Sequence, residues 1–166
     1  EHYSALAVCG DCDHQCIHVF PTRRSSDLSE SNFWKYVRSS LPDVKMYRVE
    51  NRVSEGMPDL HYIRDGNSGW IELKYLEDWP KRNNIKVGLR LNQSFWLDEY
   101  KTLKGHCWIM IRIGRDFVGL IDGSEAKKVY EKMPIPEFLK CLTYKKFGKM
   151  TKADWAELAD IITDQS

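Results

Sequence analysis

Between Gly56 and Lys74 the order of residues leaves the chain few ways to fold. Pro58-Asp59 opens a first extended run, and Asp65-Gly66-Asn67-Ser68-Gly69 concentrates residues that turn a backbone. The run Trp70-Ile-Glu-Leu-Lys-Tyr75 then alternates cleanly between apolar and charged side chains. This pattern predicts a β-hairpin turning near Asp65–Asn67. Residues two apart on a strand share a face, so Glu72 and Lys74 stand together while Ile71 and Leu73 point into a core. Antiparallel pairing then sets Asp59 opposite Glu72 or Lys74.

Two carboxylates and an ammonium on one patch of a rigid element suit a hard divalent cation beside a phosphodiester. Mg²⁺ takes oxygen ligands, keeps several waters and needs only one or two carboxylates besides the phosphate. A neighbouring lysine can orient the attacking water or stabilise the charge of the transition state. The plain alternative is a surface hairpin with a solvated Glu72–Lys74 pair. Against it stand an Asp at matching depth on the partner strand and the position of both charges in an otherwise apolar strand between Trp70 and Tyr75.

The string Gly56-x-Pro58-Asp59, then Glu72-x-Lys74, then Gln93 and Trp96 on a following helix, then Gly105-His106 entering a strand, resembles the PD-(D/E)xK nuclease superfamily. Within it the VRR-NUC branch is the nearest in pattern, over residues 29 to 122. The resemblance implies an α/β restriction-endonuclease-like core, a central mixed β-sheet flanked by helices on both faces. It implies a nuclease dependent on Mg²⁺ or Mn²⁺. Asp59 and Glu72 would ligate the metal, the main-chain carbonyl of Leu73 would be a further ligand, and Lys74 would serve the nucleophile. Gln93 would face the active centre. Family members often add a Glu from the first helix, and Glu30 is the position that fits. Read from its own place, Glu30 is either that ligand or a partner for the helix dipole.

The segments Ser29–Trp34, through Glu50-Asn51, and Glu77–Arg82 look most like small phage-type members that cut branched DNA such as Holliday junctions. The expected partner is therefore branched DNA, and the expected setting is the cytoplasm of a bacterium or phage-infected host. Paired cuts in a four-way junction need two equivalent sites, which a symmetric homodimer supplies. Other readings stay open: a flap, end-processing or restriction-like nuclease, a site acting on RNA, or an inactive DNA-binding module of the same fold. Intact Asp59, Glu72 and Lys74 speak against the inactive module.

A net charge of +1 excludes a generic polycation that coats DNA, though it permits a locally basic nuclease surface. No apolar run is long enough to span a bilayer. Residues 1–28 stand apart. They carry Cys9, Cys12 and Cys16 with His14 and His18, a single compact cluster where a structural zinc site normally has two separated ligand pairs. Phe20-Pro-Thr-Arg-Arg-Ser-Ser-Asp-Leu28 reads like a translated sequencing adapter, so a non-native leader is expected there. Without it, 23 basic residues face 20 acidic ones, and only Cys107 and Cys141 remain, as in a reducing compartment.

The rest reads in α/β order, with a nuclease core over 29–122 and a helical extension over 123–166. Ser29 or Ser31 caps a helix with Phe33, Trp34, Val37 and Leu41 on one side, stopped before Pro42. Residues 45–51 form a first strand, and Glu50 is there more simply an exposed residue than a site one. Lys81, Arg82, Lys86 and Arg90 lie along an expected loop beside the site, suited to phosphate contacts. Trp79 in this loop either wedges at a branch point or packs on the core. Asn92 is expected to cap the next helix, and 106–113 to form a strand covered on both faces. His61 and His106 are each read first as structural. Thr151-Lys-Ala-Asp154 opens a last helix as a capping box. Lys145, Lys146, Lys149 and Lys152 form a basic linker ahead of it or extend a DNA surface.

Overall fold

The computed structural model describes residues 25–49 and 54–164, with side chains from Glu30 onward. The Cys9–His18 cluster, residues 1–24 of the expected leader, and Glu50 and Asn51 lie outside these described residues. The first helix, α1, spans Ser25–Ser40 and so begins inside the segment set apart as a leader, earlier than the expected Ser29 or Ser31. No Pro or Gly interrupts Ser25–Ser40, so nothing in the backbone ends the helix sooner. Phe33 and Val37, on one helical stripe, are fully buried.

The strands β1 (Lys45–Arg48), β2 (Leu60–Arg64) and β3 (Asn67–Leu76) form a meander. The hairpin turn is tighter than the run of turn residues suggested. Arg64 pairs with Asn67, so only Asp65 and Gly66 form the loop, with φ of 51° and 82°. Two successive positive φ values are those of a type I′ turn, whose twist matches that of the strands it joins. Next come β4 (Asn84–Ile85), α2 (Leu91–Thr102), β5 (Cys107–Ile113) and β6 (Phe117–Asp122). The chain then forms α3 (Ala126–Tyr130), β7 (Met133–Pro134), α4 (Ile135–Lys140), β8 (Leu142–Phe147) and α5 (Lys152–Thr163).

The main sheet has the order β1-β2-β3-β5-β6-β8 and is mixed, because β3 and β5 run parallel while the other neighbours are antiparallel. α2 lies on the crossover that a parallel pair requires. Residues of alternate parity in β3 serve two cores. Ile71 and Leu73 pack with Phe33, Val37, Trp155, Leu158 and Ile162 beneath α1 and α5. Trp70 and Leu76 face the other way, with Ile109, Ile111, Leu97, Val129 and Phe138 beneath α2, α3 and α4. The protein is thus a mixed α/β fold with helices on both faces of a central sheet, as expected.

Two local expectations change and one is narrowed. Leu142–Phe147, read as the start of a basic linker, is the edge strand β8, with Tyr144 buried and Lys145 exposed. An edge strand with one face in water tolerates lysines, here the adjacent Lys145 and Lys146, so they masked it. The segment 84–90, read as a loop, is an extended strap that buries Ile85, Val87 and Leu89 and leaves Lys86 and Arg90 outside. Trp79 packs on the core, edge-on to Phe117 with ring centroids 4.9 Å apart, the second of the two readings it allowed.

The C-terminal segment is bound into the hairpin. The Tyr62 hydroxyl donates to the carbonyl of Ile162 at 2.6 Å, Asn67 donates to that of Thr163 at 2.8 Å, and Arg64 pairs with Asp160 at 2.8 Å. Thr151 and Asp154 cap each other at the start of α5, the reciprocal box that the sequence proposes.

Candidate active site

Gly56 starts the site. Its φ is 88°, and a Cβ there would fall 2.4 Å from the carbonyl oxygen of Asn92. Only glycine lets the turn before β2 lie this close to the first turn of α2. The contact brings Pro58-Asp59 and Gln93, far apart in sequence, to the same end of the sheet.

Asp59 continues the antiparallel ladders one step beyond Leu60. Its carbonyl accepts from Val49 N–H at 2.8 Å. Leu60 pairs with Ile71, so Asp59 falls opposite Glu72, the first of the two registers that the hairpin allowed. Its carboxylate accepts from the backbone N–H of Leu73 at 3.3 Å. The Leu73 peptide is thereby held against the Asp59 side chain.

Glu72 is 1% exposed, although it is an acid in the middle of a strand. Its Oε1 accepts from Lys74 Nζ at 2.8 Å and from Gln93 Nε2 at 2.5 Å. Its Oε2 is buried without a hydrogen-bond partner, the one such side-chain atom among the described residues. Burial, with the nearby Asp59 charge, pushes the Glu72 carboxyl up to about 7, against the opposing pull of Lys74 and Arg90. An acid so placed is short of positive charge.

Gln93 sits in the first turn of α2 and is 2% exposed. Its side-chain oxygen accepts from Arg90 N–H at 3.0 Å while its amide nitrogen donates to Glu72. One side chain therefore caps α2 and fixes the Glu72 carboxylate. The cap residue is Arg90 rather than the expected Asn92, because the helix begins at Leu91.

The other expected site residues are placed differently. Lys74 joins the group and keeps only 12% of its side chain exposed. Glu30 is exposed on α1, and α1 covers the sheet face opposite to that of Glu72 and Lys74. Among the described residues no three His, Cys, Asp or Glu side chains form a group able to hold a metal ion, so Asp59 and Glu72 stand as a pair. Of the basic residues, Arg90 lies near enough to act on Glu72. Lys81, Arg82 and Lys86 are exposed along the strap and the turn before it. His61 lies between the rings of Tyr47 and Trp70. His106 precedes β5, and its carbonyl accepts from Trp70 N–H.

No protein-family model matches the chain, and neither does any curated protein. Among solved structures it is similar to Hjc, a Holliday junction resolvase from the archaeal hyperthermophile Archaeoglobus fulgidus. The two share 14% identity over 65% of this chain and 98% of that one, with a TM-score of 0.45.

The donor set fits a hard cation on its own chemistry. It offers carboxylate oxygens, one of them buried and unpartnered, and a peptide unit pressed against the other acid. Sequence reasoning named Asp59, Glu72, Lys74 and Gln93 but missed the role of Gly56 as the joint between the hairpin and α2. Its signal was weak, a glycine two residues ahead of Pro58 with nothing to mark what it lies against. A cavity of about 530 Å³ between the C-terminal end of α1 and α5 is lined by none of these residues. No described helix is long and apolar enough to cross a membrane.

Proposed function

We propose that this protein is a metal-dependent DNA endonuclease that hydrolyses phosphodiester bonds in branched DNA, in the manner of a Holliday-junction resolvase. The observation that carries the hydrolytic reading is the buried, unpartnered Oε2 of Glu72 opposite Asp59. A protein that buries an acid in its sheet and leaves an oxygen unsatisfied gains by binding a cation there. Branched DNA rests on the likeness of Ser29–Trp34, through Glu50-Asn51, and Glu77–Arg82 to the small phage-type nucleases.

Asp59 and Glu72 would hold Mg²⁺ or Mn²⁺, with the Leu73 carbonyl as a further oxygen ligand. Such an ion, when bound, lowers the pKa of a water and neutralises charge on the phosphate oxygens. Lys74 is held by Glu72, so its ammonium has a fixed position from which to orient the attacking water and stabilise the pentacovalent phosphorus. Gln93 restrains the Glu72 carboxylate, and a donor prepared in advance needs no reorganisation as the reaction proceeds. Lys81, Arg82, Lys86 and Arg90 would contact the phosphate backbone without reading sequence. A symmetric dimer would supply the two sites that paired incision requires.

The test mixes the protein with a labelled four-way junction and with a linear duplex of matching sequence, in Mg²⁺, in Mn²⁺ and in EDTA. Metal-dependent paired incision of the junction, lost in Glu72→Gln and Lys74→Ala, is the expected result. Equal cutting of both substrates keeps the nuclease and removes the junction preference. Tight binding with no cutting in either metal ends the enzymatic reading.

A further inference from the structure

The face of the sheet that carries Glu72 also carries a row of rings that the proposed chemistry does not use. In the β1–β2 register Tyr47 lies opposite His61, and in the β2–β3 register His61 lies opposite Trp70. Trp70 is two residues before Glu72, so all three rings share its face. From Trp70 the row passes to Trp96 and Tyr100 on α2, one turn beyond Gln93. Successive centroids are 6.5, 4.9, 5.8 and 4.8 Å apart, so each ring touches the next.

Trp70, Trp96 and Tyr100 pack on the core beneath α2, yet the row is only partly covered. Tyr47 is 52% exposed, and His61, Trp70, Trp96 and Tyr100 are each part-exposed. Ile63, beyond His61 on the same face, is 39% exposed. The outer end is cationic, with Lys45 5.7 Å from the Tyr47 ring. In mid-row, Trp70 lies two residues from Glu72 on β3.

We infer that this row is a stacking platform for unpaired nucleobases, and that the substrate of the adjoining site is branched DNA carrying a single-stranded arm. Every base has a π-face, so a row of rings holds unpaired bases without regard to sequence, while the same faces are closed off within a duplex. Lys45 beside the Tyr47 ring matches a phosphate of such a strand. The substrate assignment rests on the nuclease reading; the binding surface does not.

The experiment uses the full chain in EDTA, so that binding is read without cleavage. A labelled oligothymidylate of about 16 nucleotides is titrated against a blunt duplex of the same length, by polarisation and by tryptophan fluorescence. The expected result is tighter binding of the single strand, with quenching of tryptophan emission. Tyr47→Ala should weaken it about tenfold, and Tyr47→Phe, which keeps the ring, should bind like the parent. Tyr47 is half exposed, and equal melting temperatures for both variants confirm that folding is intact. Equal affinity for duplex and single strand, or a Tyr47→Ala variant that binds like the parent, overturns the platform. Single-strand binding with no cleavage in Mg²⁺ or Mn²⁺ keeps the platform and removes the nuclease reading. Cleavage that ignores unpaired arms and is unchanged in Tyr47→Ala keeps the nuclease and overturns this inference.

Discussion

At the scale of single residues, the site turns on the cost of burying Glu72. A raised carboxyl pKa means that the folded state holds its proton more tightly than the unfolded chain does. Between the ordinary glutamate value of 4.5 and about 7, the fold therefore binds more protons than the unfolded state. Stability from this group is full below that window and is lost as pH rises through about 7. In EDTA the parent should lose on the order of 1–3 kcal/mol between pH 5 and 8 through this group. Glu72→Gln should flatten that slope, as denaturant titration at the two pH values will show. At pH 8 the variant should be at least as stable as the parent yet without activity, because Gln keeps an oxygen for Lys74 and Gln93 while removing a charge that burial penalises. A purely structural Glu72–Lys74 pair would give the opposite, a less stable variant. Lys74→Ala should lower the rate constant about 100-fold or more with modest change in DNA affinity, read from single-turnover kinetics.

At the scale of elements, the hairpin and the two helices that hold it decide where the site residues sit. Tyr62 ties β2 to α5 and also accepts from Trp108 Nε1 at 3.2 Å. Tyr62→Phe keeps the ring but strips a donor from Ile162 and an acceptor from Trp108, so it should cost about 1–3 kcal/mol by chemical denaturation. On the other face, Gly56 must lie against Asn92. Gly56→Ala should shift the α2 N-terminus and with it Gln93, so activity should fall further than stability. The hairpin was readable because its period-two alternation and Asp-Gly turn are local signals. The strap 84–90 and β8 were not, because each has one face in water and its lysines read as loop. The cap at Arg90 was hidden too, since its partner oxygen comes from the Gln93 side chain rather than from a residue typical of caps.

At the scale of the whole molecule, the C-terminal segment completes the fold that holds the site. β8 closes one edge of the sheet, and α5 covers the face that buries Leu60 and Tyr62. Ending the chain at Asp122 should therefore leave a protein that does not fold cooperatively, checked by loss of a two-state thermal transition. The proposed paired incision predicts a dimer in solution at working concentration, measured by sedimentation. A monomer that still nicks the junction would assign the two cuts to separate encounters. What the sequence determined by itself was the chemistry: Asp59, Glu72 and Lys74 belong to one hairpin, and strand period and turn type place them within a residue or two. What only the tertiary structure decided was the environment of that chemistry. The burial of Glu72, its bond from Gln93, the charge of Arg90 and the rings that lead away from it come from packing α2 and β5 against β3. Contacts between elements distant along the chain leave no periodic trace in either one. They exist only once the core has closed.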